Sequence, residues 1–424
     1  MTNTRFQSLG ISDKFQNALA EAKYVEPSKI QARAIPVLLD GADVLGVAQT
    51  GTGKTAAFGL PLLQLLDAQN APATSRHPRA LIMAPTRELA IQIHSELSFF
   101  ARPTSLSLTC IYGGVGQNPQ VKALRKGVDI LVATPGRLLD LIAQNHVRLG
   151  QVSVLILDEA DRLLDMGFIR DVKKIVAMTP RKRQSLLFSA TMPGTVASLA
   201  AEILSKPVRI EITPKQATVK KIEQRVVLID NADKQQALEH LLFDAQVKKA
   251  IVFTRTKHGA DKVARKLRAA GISAEAIHGN KSQNARTRAL QGFKDGESWV
   301  LVATDIAARG IDIDGVTHVF NQELPHEPES YVHRIGRTGR AGASGTAWSL
   351  VDPGERKRLR AVEKLIRKSL PVIELDLPPR AEVEPKAQLR DESNRHKQTR
   401  SDRSSGQSSQ RRRPRRRKVR AEAA

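Results

Sequence analysis

The stretch Ala48-Gln49-Thr50-Gly51-Thr52-Gly53-Lys54-Thr55 has the residue types and spacing to grip a chain of phosphates. It follows the apolar run Asp43-Val44-Leu45-Gly46-Val47 and leads into a helical pattern from Ala56 to Leu66. Strand, glycine turn and helix in that order aim backbone N–H groups and the positive end of a helix at one anion. Lys54 then reaches the β- and γ-phosphates of a bound nucleotide, and the Thr55 hydroxyl holds Mg²⁺. The generic loop has glycine where Ala48 stands, and a glycine turn that merely caps a helix is the bland alternative.

Such a loop needs a second carboxylate for the metal, at the end of a neighbouring strand. Val154-Leu155-Ile156-Leu157-Asp158-Glu159-Ala160-Asp161 supplies it. Asp158 is the candidate metal ligand, and Glu159 the candidate base that orients an attacking water. An acidic pair after a buried strand is also what a helix N-terminus attracts, so the pair gains its meaning from residues 48–55.

The elements that must position these groups follow from the apolar pattern. Runs of strand length lie at 80–84, 129–133, 152–157 and 185–188, separated by helical stretches. Continuous apolar strands alternating with helices predict a mostly parallel sheet covered on both faces. Ligands of such sheets sit at the carboxyl ends of the strands. The runs end in Pro85-Thr86-Arg87, Thr134-Pro135-Gly136-Arg137, Asp158-Glu159 and Ser189-Ala190-Thr191, which should therefore meet on one rim. A second strand–helix series runs through 226–229, 250–253, 273–277, 299–303 and 316–320, with a helical pattern from Glu355 to Leu370.

These patterns divide the chain into a phosphate-loop α/β domain at 1–206, a linker at 207–221, a second α/β domain at 222–372 and a polar, basic segment at 373–424. A flexible linker of that length spans roughly 20 Å, enough for the domains to open and close. The last segment holds Arg411-Arg412-Arg413-Pro414-Arg415-Arg416-Arg417-Lys418 and is expected to be disordered. Its simplest use is a tethered, sequence-blind anchor for phosphates, the alternative being a solvated charged tail.

The chain has 424 residues and a net charge of +24, which points to a polyanionic partner. The charge is spread: Ser401 to Ala424 holds nine Lys/Arg against two acids, leaving +17 on the other 400 residues. With 4% aromatics, a surface built mainly on base stacking is not expected. The single cysteine, Cys110, excludes an intramolecular disulfide and a cysteine zinc site, and is expected to be a small buried strand residue. No apolar run is long enough to span a bilayer, and Met1 to Gly10 lacks the plan of a secretion signal. The expected location is the cytoplasm.

Asp158-Glu159-Ala160-Asp161 spells the signature of a known family, and residues 1–370 resemble the DEAD-box RNA helicases motif by motif. Those proteins carry alanine where Ala48 stands. The resemblance implies two RecA-like domains, ATP and Mg²⁺ as cofactors, and RNA as partner. Tyr24-Val25-Glu26-Pro27-Ser28-Lys29-Ile30-Gln31 looks like the Q motif, in which Gln31 meets the adenine edge, with Tyr24 and Pro27 in its frame and Phe6 packing near the base. Lys23 departs from the family, which has glycine there, and so questions the local turn.

By the same resemblance Pro85, Thr86, Arg87, Gly113, Gly114, Thr134, Pro135, Gly136 and Arg137 are RNA-backbone contacts of the first domain. Arg255, Gln283, Arg286, Thr304 and Gly310 are their counterparts in the second. Hydroxyls, glycine amides and arginines suit phosphate and sugar, so the RNA, single-stranded or short duplex, would be bound largely without regard to sequence. Ser189 and Thr191 would couple hydrolysis to unwinding through hydrogen bonds to the acidic motif, with His333 supporting them. Asp312 would accept from the ribose. His333-Arg334-Ile335-Gly336-Arg337-Thr338-Gly339-Arg340 would bring Arg337 and Arg340 as arginine fingers to the γ-phosphate. The catalytic set is then Lys54, Glu159, Arg337 and Arg340.

The expected activity is ATP-dependent, non-processive RNA unwinding or remodelling by a monomer, driven by domain closure. The rival is an ATP-gated RNA clamp or scaffold. A DNA helicase or a transport ATPase would share the phosphate loop, but neither explains Gln31, Pro85 to Ala90 and His333 to Arg340 together. The short lead-in, compact core and basic tail look most like the bacterial RhlE-type branch. The target is left open among ribosomal precursor, structured message and RNA-decay substrates.

Overall fold

The computed structural model describes residues 6–49, 51–212, 222–308, 313, 315–339 and 344–377. Thr50, Gly310, Asp312, Arg340 and the Arg-rich segment 411–418 lie outside the described residues, as does the linker beyond residue 212.

The first domain is built on β1 (Val44–Val47), β2 (Ala80–Met83), β3 (Leu108–Ile111), β4 (Ile130–Ala133), β5 (Val154–Leu157), β6 (Gln184–Ser189) and β7 (Val208–Glu211). They form one parallel sheet in the order β3-β4-β2-β5-β6-β1-β7. Alternate residues of each strand feed opposite faces, as the twofold strand period requires. Ile82, Val132, Ile156 and Leu186 pack in one buried cluster, while Leu81, Leu131, Leu155 and Leu187 pack in another on the far side. Helices supply the rest of both clusters, so the sheet is dry on both faces. β7 falls inside the stretch expected to be linker: Val208–Glu211 pairs with β1 residue for residue.

The second domain repeats the plan with β8 (Ile222–Leu228), β9 (Ala250–Thr254), β10 (Ala274–Ile277), β11 (Val300–Thr304), β12 (His318–Asn321) and β13 (Gly345–Val351). Their order is β10-β11-β9-β12-β13-β8, again all parallel. The chain stays on this domain past residue 372: the Ile373 N–H donates to the Val226 carbonyl, and Leu375 and Leu377 pack against its core. Both domains are thus RecA-like α/β layers with helices on each side of a parallel sheet. Among the described residues no helix is long and apolar enough to cross a membrane.

Short polar residues start the helices at the strand ends. Thr86, Thr256 and Ser282 each accept a hydrogen bond from the N–H three residues on, a cap worth about 1 kcal/mol. Ser28 and Gln31 form a reciprocal capping box at the head of Lys29–Leu39. Cys110 sits on β3, half-buried, and burial pushes its thiol up to about 12, so it stays protonated at neutral pH.

Candidate functional site

Parallel strands in register place all their carboxyl ends on one rim. β6 lies between β1 and β5, so Ser189 sits between the phosphate loop and Asp158. The Ala48 N–H donates to the Ser189 carbonyl at 2.9 Å, which fixes where the loop leaves the sheet. Gly51 and Gly53 then take left-handed φ values of 80° and 85°, which only glycine adopts without strain. Lys54 opens the helix Lys54–Ala68, is buried, and donates from Nζ to the Ala48 carbonyl at 3.0 Å. The Thr52 hydroxyl closes the loop on the Gln49 carbonyl at 2.8 Å.

The Q-like element is tied to this loop directly. The Ser28 hydroxyl donates to the Thr52 carbonyl at 2.7 Å, and Gln31 Nε2 to the Gly53 carbonyl at 3.1 Å. Gln31 Oε1 accepts from the Ser28 N–H at 2.8 Å. Gln31 is therefore buried against the loop backbone rather than projecting freely. Pro27 is half-buried at the start of the element. Phe6 is wholly buried in the core, with its ring 6.3 Å from that of Tyr24. Lys23 adopts φ 59°, the conformation a glycine would take without cost, so the turn forms despite the substitution.

Asp158 and Glu159 are both buried at the end of β5. Burial raises the Asp158 carboxyl to about 6 against the opposing pull of Lys54, and the neighbouring Glu159 pushes the same way. Glu159 has φ 52°, a left-handed backbone rare outside glycine and characteristic of sites where geometry outranks stability. Its carboxylate pairs with Arg162 at 2.5 Å. Asp161 points the other way: its Oδ2 accepts from both the N–H and the hydroxyl of Thr191 at 2.9 Å. Ser189 Oγ accepts from the Asp161 N–H at 3.2 Å and donates to the Thr191 carbonyl at 2.7 Å. Ser189 and Thr191 are thus joined to the acidic motif through Asp161.

The second domain presents Arg337 to this cluster. The side chain is buried; burial lowers its guanidinium to about 9, the charge of Arg162 adds to that, and Glu159 opposes it. An arginine of one domain therefore sits in the field of the candidate base of the other. His333 and Arg337 line a small pocket with Phe253 and Asp305, and Arg337 Nε donates to the His333 carbonyl at 3.2 Å. Arg334, read in the sequence only as part of a basic run, is a buried brace. It pairs with Asp305 at 2.5 Å, donates to Asn321 Oδ1 at 3.1 Å and to the Glu323 carbonyl at 2.6 Å, and lies over the Phe253 ring. It thereby locks the ends of β9, β11 and β12 together.

The expected RNA-side residues fall into two groups. Pro85, Thr134 and Pro135 are buried and Gly136 is exposed at strand ends of the first sheet. Arg137 donates to Gln120 Oε1 at 3.2 Å and to the Val115 carbonyl at 3.1 Å. Arg87 lies across Gly113 and Gly114, and a Cβ on Gly114 would collide with its guanidinium. Thr304 ends β11 beside Thr254, and Arg255 follows it with a 2.9 Å ion pair to Glu323. Arg255 Nε is buried and has no hydrogen-bond partner among the described residues.

Gln283 and Arg286 instead face the other domain. Arg286 pairs with Glu88 at 2.8 Å, and Gln283 donates to Glu88 Oε1 at 3.0 Å and accepts from Arg87 at 3.3 Å. Glu88, Asp161 and Arg334 lie inside sequence motifs but were given no role of their own from the sequence, and Arg162 directly follows the acidic motif. Their signal was a charged residue in or next to a motif on an element bound for the rim.

Known proteins match this arrangement. The DEAD/DEAH box helicase model matches residues 28–199, and the helicase conserved C-terminal domain model matches 233–342. The DEAD-box ATP-dependent RNA helicase CshA of Streptococcus pneumoniae is 45% identical over 366 residues, 86% of this chain and 69% of that protein. CshA of Bacillus subtilis is 44% identical over 365 residues, 86% of this chain and 73% of that protein. Among solved structures, Saccharomyces cerevisiae Dbp5 bound to RNA and ADP BeF3 superposes with a TM-score of 0.78. It is 32% identical and covers 88% of this chain and 96% of its own. The RhlE-type assignment is overturned by these relatives, which are CshA proteins. Lead-in length, core compactness and tail charge are gross features, whereas the match to CshA is residue by residue over most of the chain. The chain belongs to the DEAD-box ATP-dependent RNA helicases, and within them it is most similar to the CshA subfamily.

Proposed function

We propose that this helicase hydrolyses ATP only when its two domains meet on RNA, and that the meeting itself strains and locally opens a short duplex. The observations that carry the reading are the 2.8 Å ion pair from Arg286 of the second domain to Glu88 of the first, and Arg337, buried where Glu159 and Arg162 of the first domain act on its charge. The first half, expected at 1–206, takes in β7 as far as Glu211, and the second, expected at 222–372, continues to Leu377. Lys54 and the loop amides hold the triphosphate, and Gln31 stands by the base. Glu159 leaves Arg162 to orient a water whose oxygen attacks the γ-phosphorus. The bond from that phosphorus to the β–γ bridging oxygen breaks, ADP leaves, and the water's proton passes towards Glu159. Arg337, joined by Arg340, neutralises the charge gathering on the γ-phosphoryl oxygens.

Thr55 and Asp158 offer one hydroxyl and one carboxylate, a donor set that suits Mg²⁺, which takes most of its ligands from phosphate and water. Among the described residues no cluster of three or more acidic, histidine or cysteine side chains could hold a metal unaided, so the ion would arrive with the nucleotide. When bound it neutralises β- and γ-phosphate charge.

RNA and ATP favour the same meeting of domains and so bind cooperatively. Thr86, Arg87, Gly114, Arg137, Arg255 and Thr304 contact the RNA backbone, while Gln283 and Arg286 act by holding the domains together. The protein works as a monomer in the cytoplasm on structured RNA, in ribosome assembly or in decay. ATP hydrolysis with and without single-stranded RNA tests the coupling: strong stimulation is expected, and equal rates would overturn it. Displacement of a short duplex strand separates unwinding from clamping.

A further inference from the structure

The helix Arg87–Phe100 carries, one face along from Glu88, a carboxylate that none of the motifs includes. Glu96 Oε1 accepts from the Tyr24 hydroxyl at 3.2 Å. Thr55 lies close enough to favour the ionised form of the same carboxyl, and Asp158 is near enough for its charge to act on it. Burial raises the Glu96 carboxyl above the usual carboxylate range, and Tyr24 and Thr55 pull it back. One side chain thus bonds to the base-side element and lies near the residue that follows the phosphate-gripping lysine.

Packing alone does not explain the tyrosine. Its ring stands edge-on to Phe100 at 5.6 Å and near Phe6 at 6.3 Å, contacts a phenylalanine would make equally well. The hydroxyl adds the reach to Glu96. Nor does Glu96 fill a packed core: together with Tyr24 and Phe99 it faces an open cavity of about 540 Å³, lined on the far side by Gln283, Leu290 and Lys294 of the second domain. A carboxylate on a cavity wall can be truncated without opening a new void.

We infer that Glu96 is a positioning residue that ties the base-side element to the phosphate loop, holding Tyr24 and Thr55 on one carboxylate so that recognition of adenine sets the loop for its triphosphate. Ser28 and Gln31 already join the same two elements through loop carbonyls; Glu96 extends the link to a loop side chain. The inference rests on reading residues 24–31 and 48–55 as one nucleotide site.

The test compares wild type with Glu96→Ala, Glu96→Gln, Tyr24→Phe and the double variant Tyr24→Phe/Glu96→Ala. Binding of ATP and of GTP without RNA is measured by displacement of a fluorescent ADP, alongside ATPase KM, kcat and the thermal midpoint. Losing one such hydrogen bond predicts that Glu96→Ala weakens ATP binding by about three- to tenfold. The ATP-over-GTP preference falls with it, and KM rises more than kcat drops. Tyr24→Phe reproduces part of the loss, and the double variant is no worse than Glu96→Ala. Glu96→Gln, whose amide oxygen still accepts from the tyrosine, restores most of the preference. An unchanged ATP-over-GTP preference in Glu96→Ala, with or without a lower thermal midpoint, overturns the inference, as do losses that multiply in the double variant. Lys54→Ala separates the two levels. If it still binds and hydrolyses ATP, the nucleotide-site reading falls; if it is dead while Glu96→Ala matches wild type, only the Glu96 inference falls.

Discussion

Replacing Glu88 with alanine should cripple the RNA-stimulated reaction while leaving each domain folded. Glu88 and Arg286 form a 2.8 Å ion pair whose side chains keep only 6% and 11% of their exposure. Gln283 adds a hydrogen bond to the same carboxylate. Removing one partner of a buried pair costs about 3–5 kcal/mol, mostly from the charge left behind. Here the partners belong to different domains, so the cost falls on their meeting and not on the folding of either. At the low end, about 3 kcal/mol reduces the population of the joined form by about 150-fold. RNA-stimulated kcat/KM should fall by about 10², with ATP binding in the absence of RNA held within about twofold. Arg286→Ala should match it, and the double variant should be little worse than either, because both remove one interaction. A Glu88→Ala enzyme within threefold of wild type, or single losses that multiply, would refute the reasoning.

Other outcomes follow from particular contacts. Lys234 is buried between Glu355 and Asp352, so Lys234→Ala should lower the urea stability of the second domain by about 3–5 kcal/mol. Nucleotide binding by the first domain should survive, and a loss under 1 kcal/mol would show the pair to be dispensable. Lys23→Gly should raise the stability of the first domain by about 0.5–1 kcal/mol in the same assay, because it relieves a left-handed residue. No gain there would mean that the lysine side chain makes compensating contacts.

Much of the fold was legible because parallel strands buried on both faces read as continuous apolar runs, as at β2, β4, β5, β9 and β11. The strands that escaped notice break that rule. β3 and β7 are sheet edges, Leu-Thr-Cys-Ile half-buried and Val-Arg-Ile-Glu largely exposed, so neither shows a full apolar run. β13 is interior but carries Thr346 and Ser349, the latter made tolerable by a 3.1 Å hydrogen bond from Asn321.

The site divides in the same way. Residues 48–55 and 158–159 were readable because phosphate and metal chemistry demand fixed types at fixed local spacing. Glu88 with Arg286, Tyr24 with Glu96, and Arg334 with Asp305 were not. They are pairs brought together by tertiary packing, and no local pattern announces for Glu88 a partner such as Gln283, 195 residues away. The branch within the family was misjudged from a short lead-in, a compact core and a basic tail, gross features that carry little of the residue-by-residue detail in which the CshA relatives agree with this chain.

The claim at the centre is that the second domain completes the hydrolytic site. Hydrolysis by Arg337→Ala under saturating ATP and single-stranded RNA tests it most directly. The account predicts a rate reduced by about 10³–10⁵, the worth of an arginine finger, with ATP affinity in the absence of RNA within about twofold of wild type. An Arg337→Ala enzyme that still hydrolyses ATP at near the wild-type rate would contradict it.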